Sequence, residues 1–110
     1  MRQILVDELS FLERDTLDSY LKRTLPAGPI TGVFWLMMPP DLLGPAQYEH
    51  ESCAPFAVSV VLEDNSLRVE LLVRSQSNLH CSCIAWATPS QRQFILDFVD
   101  RMLAEEFISV

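Results

Sequence analysis

The side chains best suited to chemistry in this sequence are two histidines and three cysteines, which form two short groups. Cys81 and Cys83 are separated by one residue and follow His80, whereas His50 and Cys53 lie earlier in the chain. Thiolates and imidazoles are the ligands that zinc prefers, and zinc takes four of them in a tetrahedron. The set His50, Cys53, Cys81 and Cys83 is therefore a candidate site for a metal ion or for thiol chemistry.

A second interpretation of the cysteines needs no ligand, and from the residues alone we prefer it. Cys-x-Cys fits zinc less well than the usual Cys-x2-Cys, because same-face neighbours on a strand are roughly 6.5 to 7 Å apart at Cα. His80 would also point away from both Cys81 and Cys83. Reduced cysteine commonly behaves as a small buried hydrophobe. We therefore expect no metal and no cofactor.

The acidic and histidine residues of the chain give little support for catalysis. His50 and Glu51 are adjacent in a segment expected to be a loop, where acid–base groups are common. The sequence contains no HExxH helix, no G-x-S-x-G elbow, no P-loop and no dinucleotide fingerprint. The prediction is a protein that is not an enzyme.

Two alternating runs in the middle of the chain predict a β-hairpin. Residues 56–63 and 67–74 both alternate with a period of two and are rich in β-branched side chains. Asp64 and Asn65 between them suit a two-residue loop. Any even loop length keeps the same side chains on the inner face. The predicted cross-strand pairs are Val60 with Val69, Val58 with Leu71, and Phe56 with Val73.

Two helices flank the predicted sheet, and each begins with a capping box. Ser10 with Glu13 starts a helix over residues 10–23, and Thr88 with Gln91 starts a second one that runs to about residue 107. In a capping box each of the two side chains bonds a backbone N–H of the first turn. Pro89 suits the first helical position, where no N–H is needed.

Between the first helix and the hairpin, the chain predicts one strand and one irregular connection. Residues 30–38 are apolar on both faces and bounded by prolines, which favours a covered strand. Residues 39–55 carry four prolines and no periodicity. A connection of this length either carries a function or wraps over the sheet edge, and we prefer the second explanation.

A further strand is predicted over residues 79–87, but its facing is ambiguous. A four-residue loop before it would turn alternate residues from His80 to Trp86 toward the core. A three-residue loop with Asn78 in the left-handed region would instead turn alternate residues from Cys81 to Ala85 there. We favour the second arrangement, because it keeps His80 out of the core and lets a helix approach small side chains closely.

Composition indicates one domain over residues 1–110 and excludes several classes of partner. A net charge of −7 with eight scattered Lys and Arg residues argues against nucleic acid and against anionic membranes. No apolar run approaches the ~20 residues that span a bilayer. The N-terminal residues lack a signal-peptide core, and an odd number of cysteines suits reduced thiols. These features predict a cytoplasmic protein.

The expected fold is α+β, with a four-stranded antiparallel sheet and terminal helices in the order α-β-β-β-β-α. If both helices cover one sheet face in two layers, the other face is open; one helix on each face is the alternative. We expect the protein to be a non-catalytic interaction domain that uses this open face. Its partner is another protein or a second copy of the chain, which would form a homodimer. The residues predicted for this surface are Val61, Leu72, Arg74, Ile84 and Trp86.

Overall fold

A computed structural model describes residues 2–48, 50–78, 83–106 and 108, and it confirms the α+β class. The described chain has an antiparallel sheet of six strands, so the expectation of four is wrong. One strand precedes the first helix, and the second predicted hairpin strand is split in two. The elements are β1 (Gln3–Val6), α1 (Phe11–Thr24), β2 (Val33–Met37), β3 (Phe56–Leu62), β4 (Leu67–Glu70), β5 (Leu72–Ser75), β6 (Ala85–Trp86) and α2 (Pro89–Glu105).

The sheet is arranged around β3, which pairs with β2 on one side and with both β4 and β5 on the other. β4 and β5 are the two segments of the second hairpin strand. On the side away from β3, β4 pairs with β1 and β5 pairs with β6. Leu71 lies between β4 and β5. Its N–H donates to the carbonyl of Arg2, and its carbonyl accepts the N–H of Ala87. Both backbone groups of Leu71 are thus bonded to residues that adjoin β1 and β6, and neither is bonded to β3.

The hairpin register is confirmed near its turn and wrong beyond Leu71. Val60 lies opposite Val69 as predicted, and the N–H of Glu63 donates to Ser66 across the two-residue turn. Farther along, Phe56 lies opposite Ser75 and not Val73, a shift of two residues. Because the shift is even, no side chain changes face. The alternate residues from Leu67 to Ser75 are all buried.

Both predicted capping boxes are present. The Oγ of Ser10 accepts the N–H of Glu13, whose carboxylate accepts the N–H of Ser10 in return. Thr88 and Gln91 make the same reciprocal pair at the start of α2. Each box satisfies two backbone donors that no helical carbonyl can reach.

The two helices contact each other and share one core with the inner side of the sheet. The rings of Tyr20 and Phe98 lie with their centroids 6.4 Å apart, and Arg23 forms an ion pair with Glu106 at 3.1 Å. Leu17 and Leu21 of α1 and several residues of α2 belong to the same cluster of buried side chains as the inner residues of β3, β4 and β5. The outward residues of β4 and β5 are only half-buried. No helix in the described ranges is long and apolar enough to cross a membrane.

The contact between the helices includes a titratable group with a shifted pKa. Burial raises the pKa of Tyr20 above its ordinary value of 10.0, and a hydrogen bond to the carboxylate of Glu105 adds to the rise. The folded state therefore holds the phenolic proton at pH values where the unfolded chain has begun to lose it. Under that condition stability decreases as pH rises.

We expect the free energy of unfolding to fall above pH 10 more steeply for the natural protein than for Tyr20→Phe, which has no phenol to ionise at this position. Urea denaturation at a series of alkaline pH values measures this difference. Tyr48→Phe is the control, because Tyr48 is exposed. Equal slopes for the natural protein and Tyr20→Phe would contradict the role of this phenol.

Candidate metal centre

Three metal-ligating side chains from two distant segments of the sequence meet in the folded chain. The candidate ligand atoms of His50, Cys53 and Cys83 all lie within 4.8 Å of one another. Both cysteines are buried and His50 is half-buried. These three residues belong to the set proposed from the sequence. The fourth member, Cys81, and the neighbouring His80 lie outside the described residues.

Local backbone geometry explains why His50 and Cys53 point the same way. The N–H of Cys53 donates to the carbonyl of His50 at 2.9 Å, which closes a short 3-10 turn over Glu51–Cys53. A 3-10 helix has three residues per turn, so side chains at i and i+3 lie one above the other. The His-x2-Cys spacing thus presents two ligands on one side of the turn.

A buried hydroxyl holds the backbone of Cys53 in place. The Oγ of Ser75, at the end of β5, donates to the carbonyl of Cys53, and Ser75 is fully buried. The same oxygen accepts the backbone N–H groups of Ser77 and Asn78 at 3.2 and 2.9 Å. One hydroxyl therefore joins the 3-10 turn, the end of the sheet and the turn that follows β5.

The buried side-chain amide of Gln47 holds the backbone of Cys83 in place. The Nε2 of Gln47 donates to the carbonyl of Cys83 at 2.8 Å, and the Oε1 of Gln47 accepts the N–H of Gly44 at 2.8 Å. The Nε2 of Gln91 also donates to that oxygen at 3.1 Å and to the carbonyl of Leu42 at 3.0 Å. Both glutamines are almost completely buried. Buried polar groups of this kind specify one arrangement, because leaving any of them unpaired is costly.

These contacts show how the long connection over residues 39–55 is held in place. For this connection the sequence alone favours a wrap over the sheet edge with no further function. In the structure, the connection carries two of the clustered ligands, and the polar network anchors it to α2 and to Cys83. Gln47 and Ser75 were missed by sequence reasoning, since an isolated polar residue beside a loop has no pattern that predicts burial.

The facing that we favoured for the last strand agrees with the part of it that is described. Ala85 lies opposite Val73, an inner residue of β5, and Trp86 lies opposite Leu72 on the outer side. Of the predicted strand over residues 79–87, residues 79–82 lie outside the described residues, and within 83–87 the strand is Ala85–Trp86. Cys83 precedes it in a turn and is fully buried.

Four of the residues predicted for an interaction surface lie at outward positions of their strands, on the open side of the sheet, and Ile84 directly precedes β6. Trp86 is 47% exposed, and the guanidinium of Arg2 lies 4.1 Å from the centroid of its ring. The other four are half-buried, namely Val61, Leu72, Arg74 and Ile84. The exposed Leu5 of β1 lies opposite Arg68 on this side and was missed, because the sequence did not indicate a strand at the N-terminus.

Comparison with known proteins adds no further guide to this site: no family model, curated protein or solved structure matches the chain.

Gly44 packs closely against Thr88, the N-cap residue of α2, and this contact provides a test of the polar network. A Cβ at position 44 would lie 2.8 Å from the Cγ2 methyl of Thr88 and 3.3 Å from the Oε1 of Gln47. Thr88 cannot rotate away without losing its cap to Gln91. We expect Gly44→Ala to destabilise the protein by about 1–3 kcal/mol, the usual cost of overpacking.

Thr88→Ser separates this clash from other effects, because serine keeps the capping hydroxyl and lacks the methyl. In the Thr88→Ser background we expect Gly44→Ala to cost clearly less, and urea denaturation of the two single variants and the double variant measures the coupling. The same loss in both backgrounds would show that the methyl contact is not the constraint.

Proposed function

We propose that this is a metal-binding protein in which His50, Cys53 and Cys83 hold a zinc ion with a structural role. The observation that carries the proposal is the convergence of the three ligand atoms within 4.8 Å. Two thiolates and an imidazole are the donor types found in both structural and catalytic zinc sites. Soft thiolate ligands also select against Mg²⁺ and Ca²⁺, which prefer oxygen.

The separations are close to those that zinc requires. With zinc–sulfur bonds of about 2.3 Å, the edges of a tetrahedral site are about 3.8 Å long. Ligand atoms that already lie within 4.8 Å of one another need to move by only about 1 Å to reach that distance. Ser75 and Gln47 hold the two cysteine backbones from outside the cluster, and partners of this kind orient the ligands in metal sites.

A structural role follows from what the three ligands connect. His50 and Cys53 belong to the irregular connection before β3, and Cys83 belongs to the chain entering β6. A bound ion would tie these segments together, and its binding free energy would add to the stability of the fold. Because the ligands must lose protons to bind, this contribution would weaken in acid.

Zinc binding is measured on reduced, metal-stripped protein by titration against a chelator of known affinity, with elemental analysis for stoichiometry. We expect one zinc ion per chain and a rise in the unfolding temperature when zinc is added. Cys53→Ser, Cys83→Ser and His50→Ala should each weaken binding by roughly 100-fold or more, since changes outside the ligand set already cost 10–100-fold. Absorption of the Co²⁺ form reports thiolate coordination.

Ser52→Ala is the matched control, because Ser52 is exposed and lies in the same 3-10 turn without offering a thiol or an imidazole. Cys81→Ser tests the fourth ligand proposed from the sequence: a loss as large as for Cys83→Ser assigns it to the site, whereas unchanged affinity would leave that position to water, as in catalytic zinc sites, and would contradict the structural role. The proposal fails if the reduced protein binds no zinc, or if oxidation to a Cys53–Cys83 disulfide occurs equally with and without zinc.

A separate observation favours a second function, as a non-catalytic interaction domain that forms a homodimer through the open side of the sheet. Trp86 is half-exposed beside Arg2, and aromatic and Arg side chains are the residues that most often dominate protein interfaces. Val61, Leu72, Arg74 and Ile84 complete the surface. We propose a second copy of the chain as the partner.

Trp86→Glu tests the contact surface, because it places a charge at the most exposed of these five residues without entering the core. We expect the dimer dissociation constant to rise at least about tenfold, as for an interface anchor. Sedimentation velocity over a range of concentrations measures it. A strictly monomeric natural protein, or an unchanged constant in Trp86→Glu, would contradict this second function.

A further inference from the structure

The two edges of the sheet differ in whether their outward backbone N–H and C=O groups are hydrogen-bonded. At the β2 edge, the N–H of Gly28 donates to the carbonyl of Val33 at 2.7 Å, and the N–H of Trp35 donates to the carbonyl of Pro26 at 3.0 Å. The chain before β2 thus covers this edge. At the opposite edge, β1 pairs with β4 alone among the described strands. An uncovered edge strand is a template for pairing with another chain.

The hydrogen-bond pattern identifies which residues of β1 face the open edge. Leu71 donates to Arg2, so in the alternating antiparallel ladder Ile4 and Val6 are the residues that exchange bonds with β4. The N–H and C=O groups of Gln3 and Leu5 are therefore directed outward. Beside this edge runs a groove of about 570 Å³ between β1 and the first half of α2, with Ile4 and Leu96 among its lining residues.

We propose that β1 pairs with β1 of a second copy in antiparallel orientation, so that the two sheets become one across a two-fold axis. This inference rests on the homodimer proposed above, and it moves the contact between the copies from the open side of the sheet to its β1 edge. Only residues with outward backbone groups can form the bonded pairs, which leaves three registers: Leu5 opposite Leu5 of the second copy, Gln3 opposite its Gln3, or Gln3 opposite its Leu5. Charge decides among these three registers.

With Leu5 opposite Leu5 of the second copy, the basic start of each strand lies beside the acidic end of the other. Arg2 precedes β1, and Asp7 and Glu8 follow it. An antiparallel pair centred on Leu5 therefore brings Arg2 of each copy to the Asp7–Glu8 segment of the other. The other two registers place Arg2 opposite Val6 or Ile4 of the second copy and make no such charge pair.

The exposed stripe of α2 has the same complementarity. Arg92, Leu96 and Asp100 are spaced by four residues, so they lie on one side of the helix, and all three are exposed. Leu96 lines the groove beside β1 and is 40% exposed. In an antiparallel contact centred on Leu96, Arg92 of each copy lies against Asp100 of the other. One two-fold axis thus accounts for both sets of opposite charges and covers both leucines.

Sedimentation velocity and light scattering, on zinc-saturated protein and on protein treated with a chelator, test the proposal. We expect a concentration-dependent dimer whose dissociation constant rises at least about tenfold in Leu5→Lys, because a lysine on an edge strand opposes pairing. Leu12→Lys is the matched control, since Leu12 is 75% exposed, belongs to α1 and is not among the residues that line the groove. It should leave the constant unchanged.

A charge exchange tests the register. Arg92→Asp and Asp100→Arg should each weaken the dimer, whereas the double variant should restore it, because the pair is exchanged as a unit. Amide hydrogen exchange gives a direct measurement of the edge: the N–H of Leu5 should become protected as protein concentration rises, while the N–H of Leu71, already bonded to Arg2, should not change.

The outcomes also separate this inference from the function on which it rests. A dimer that Trp86→Glu weakens and Leu5→Lys does not would retain the open face as the interface and overturn pairing through β1. A protein that stays monomeric at high concentration overturns both. A dimer sensitive to Leu5→Lys without restoration by the double exchange overturns the two-fold register centred on Leu5 and Leu96.

Discussion

The backbone of Leu71 is the point at which the sheet changes partners, and much of the structure depends on it. Its N–H is bonded to Arg2 and its carbonyl to Ala87, so one residue connects the strand at the beginning of the chain with the short strand before α2. On either side of Leu71 the pairing with β3 differs in register by two residues, from Val60 opposite Val69 to Ala57 opposite Arg74. The side chain remains in the core because the shift is even.

The parts of the fold that were predictable are those encoded by local patterns. Alternation identified the hairpin and its inner face, and two capping boxes located the starts of both helices. The strand at Gln3–Val6 was not predicted, because four residues are too few to show a period, and its pairing with β4 joins segments that are distant in the sequence. The break in the hairpin was equally invisible, since it is made by hydrogen bonds to strands distant in the sequence.

The candidate site shows the same division. His50, Cys53 and Cys83 could be named as ligand types from the sequence, but their meeting depends on the path of the connection over residues 39–55. That path is set by Gln47 and by contacts that have no local signature. The objection to Cys-x-Cys spacing assumed an extended strand, whereas Cys83 lies in a turn ahead of β6. The types of the candidate ligands were therefore predictable from the sequence, whereas their relative positions depend on long-range packing.

The choice of glutamine at position 91 follows from this packing. A capping box accepts either glutamate or glutamine at its third helical position, because only an oxygen is needed to receive the N–H of Thr88. In this protein the other end of the same side chain donates to Leu42 and to Gln47. A carboxylate would satisfy the helix and would set a buried charge against two acceptors. The helix cap and the loop that carries the candidate ligands His50 and Cys53 therefore share one amide, and neither can be redesigned alone.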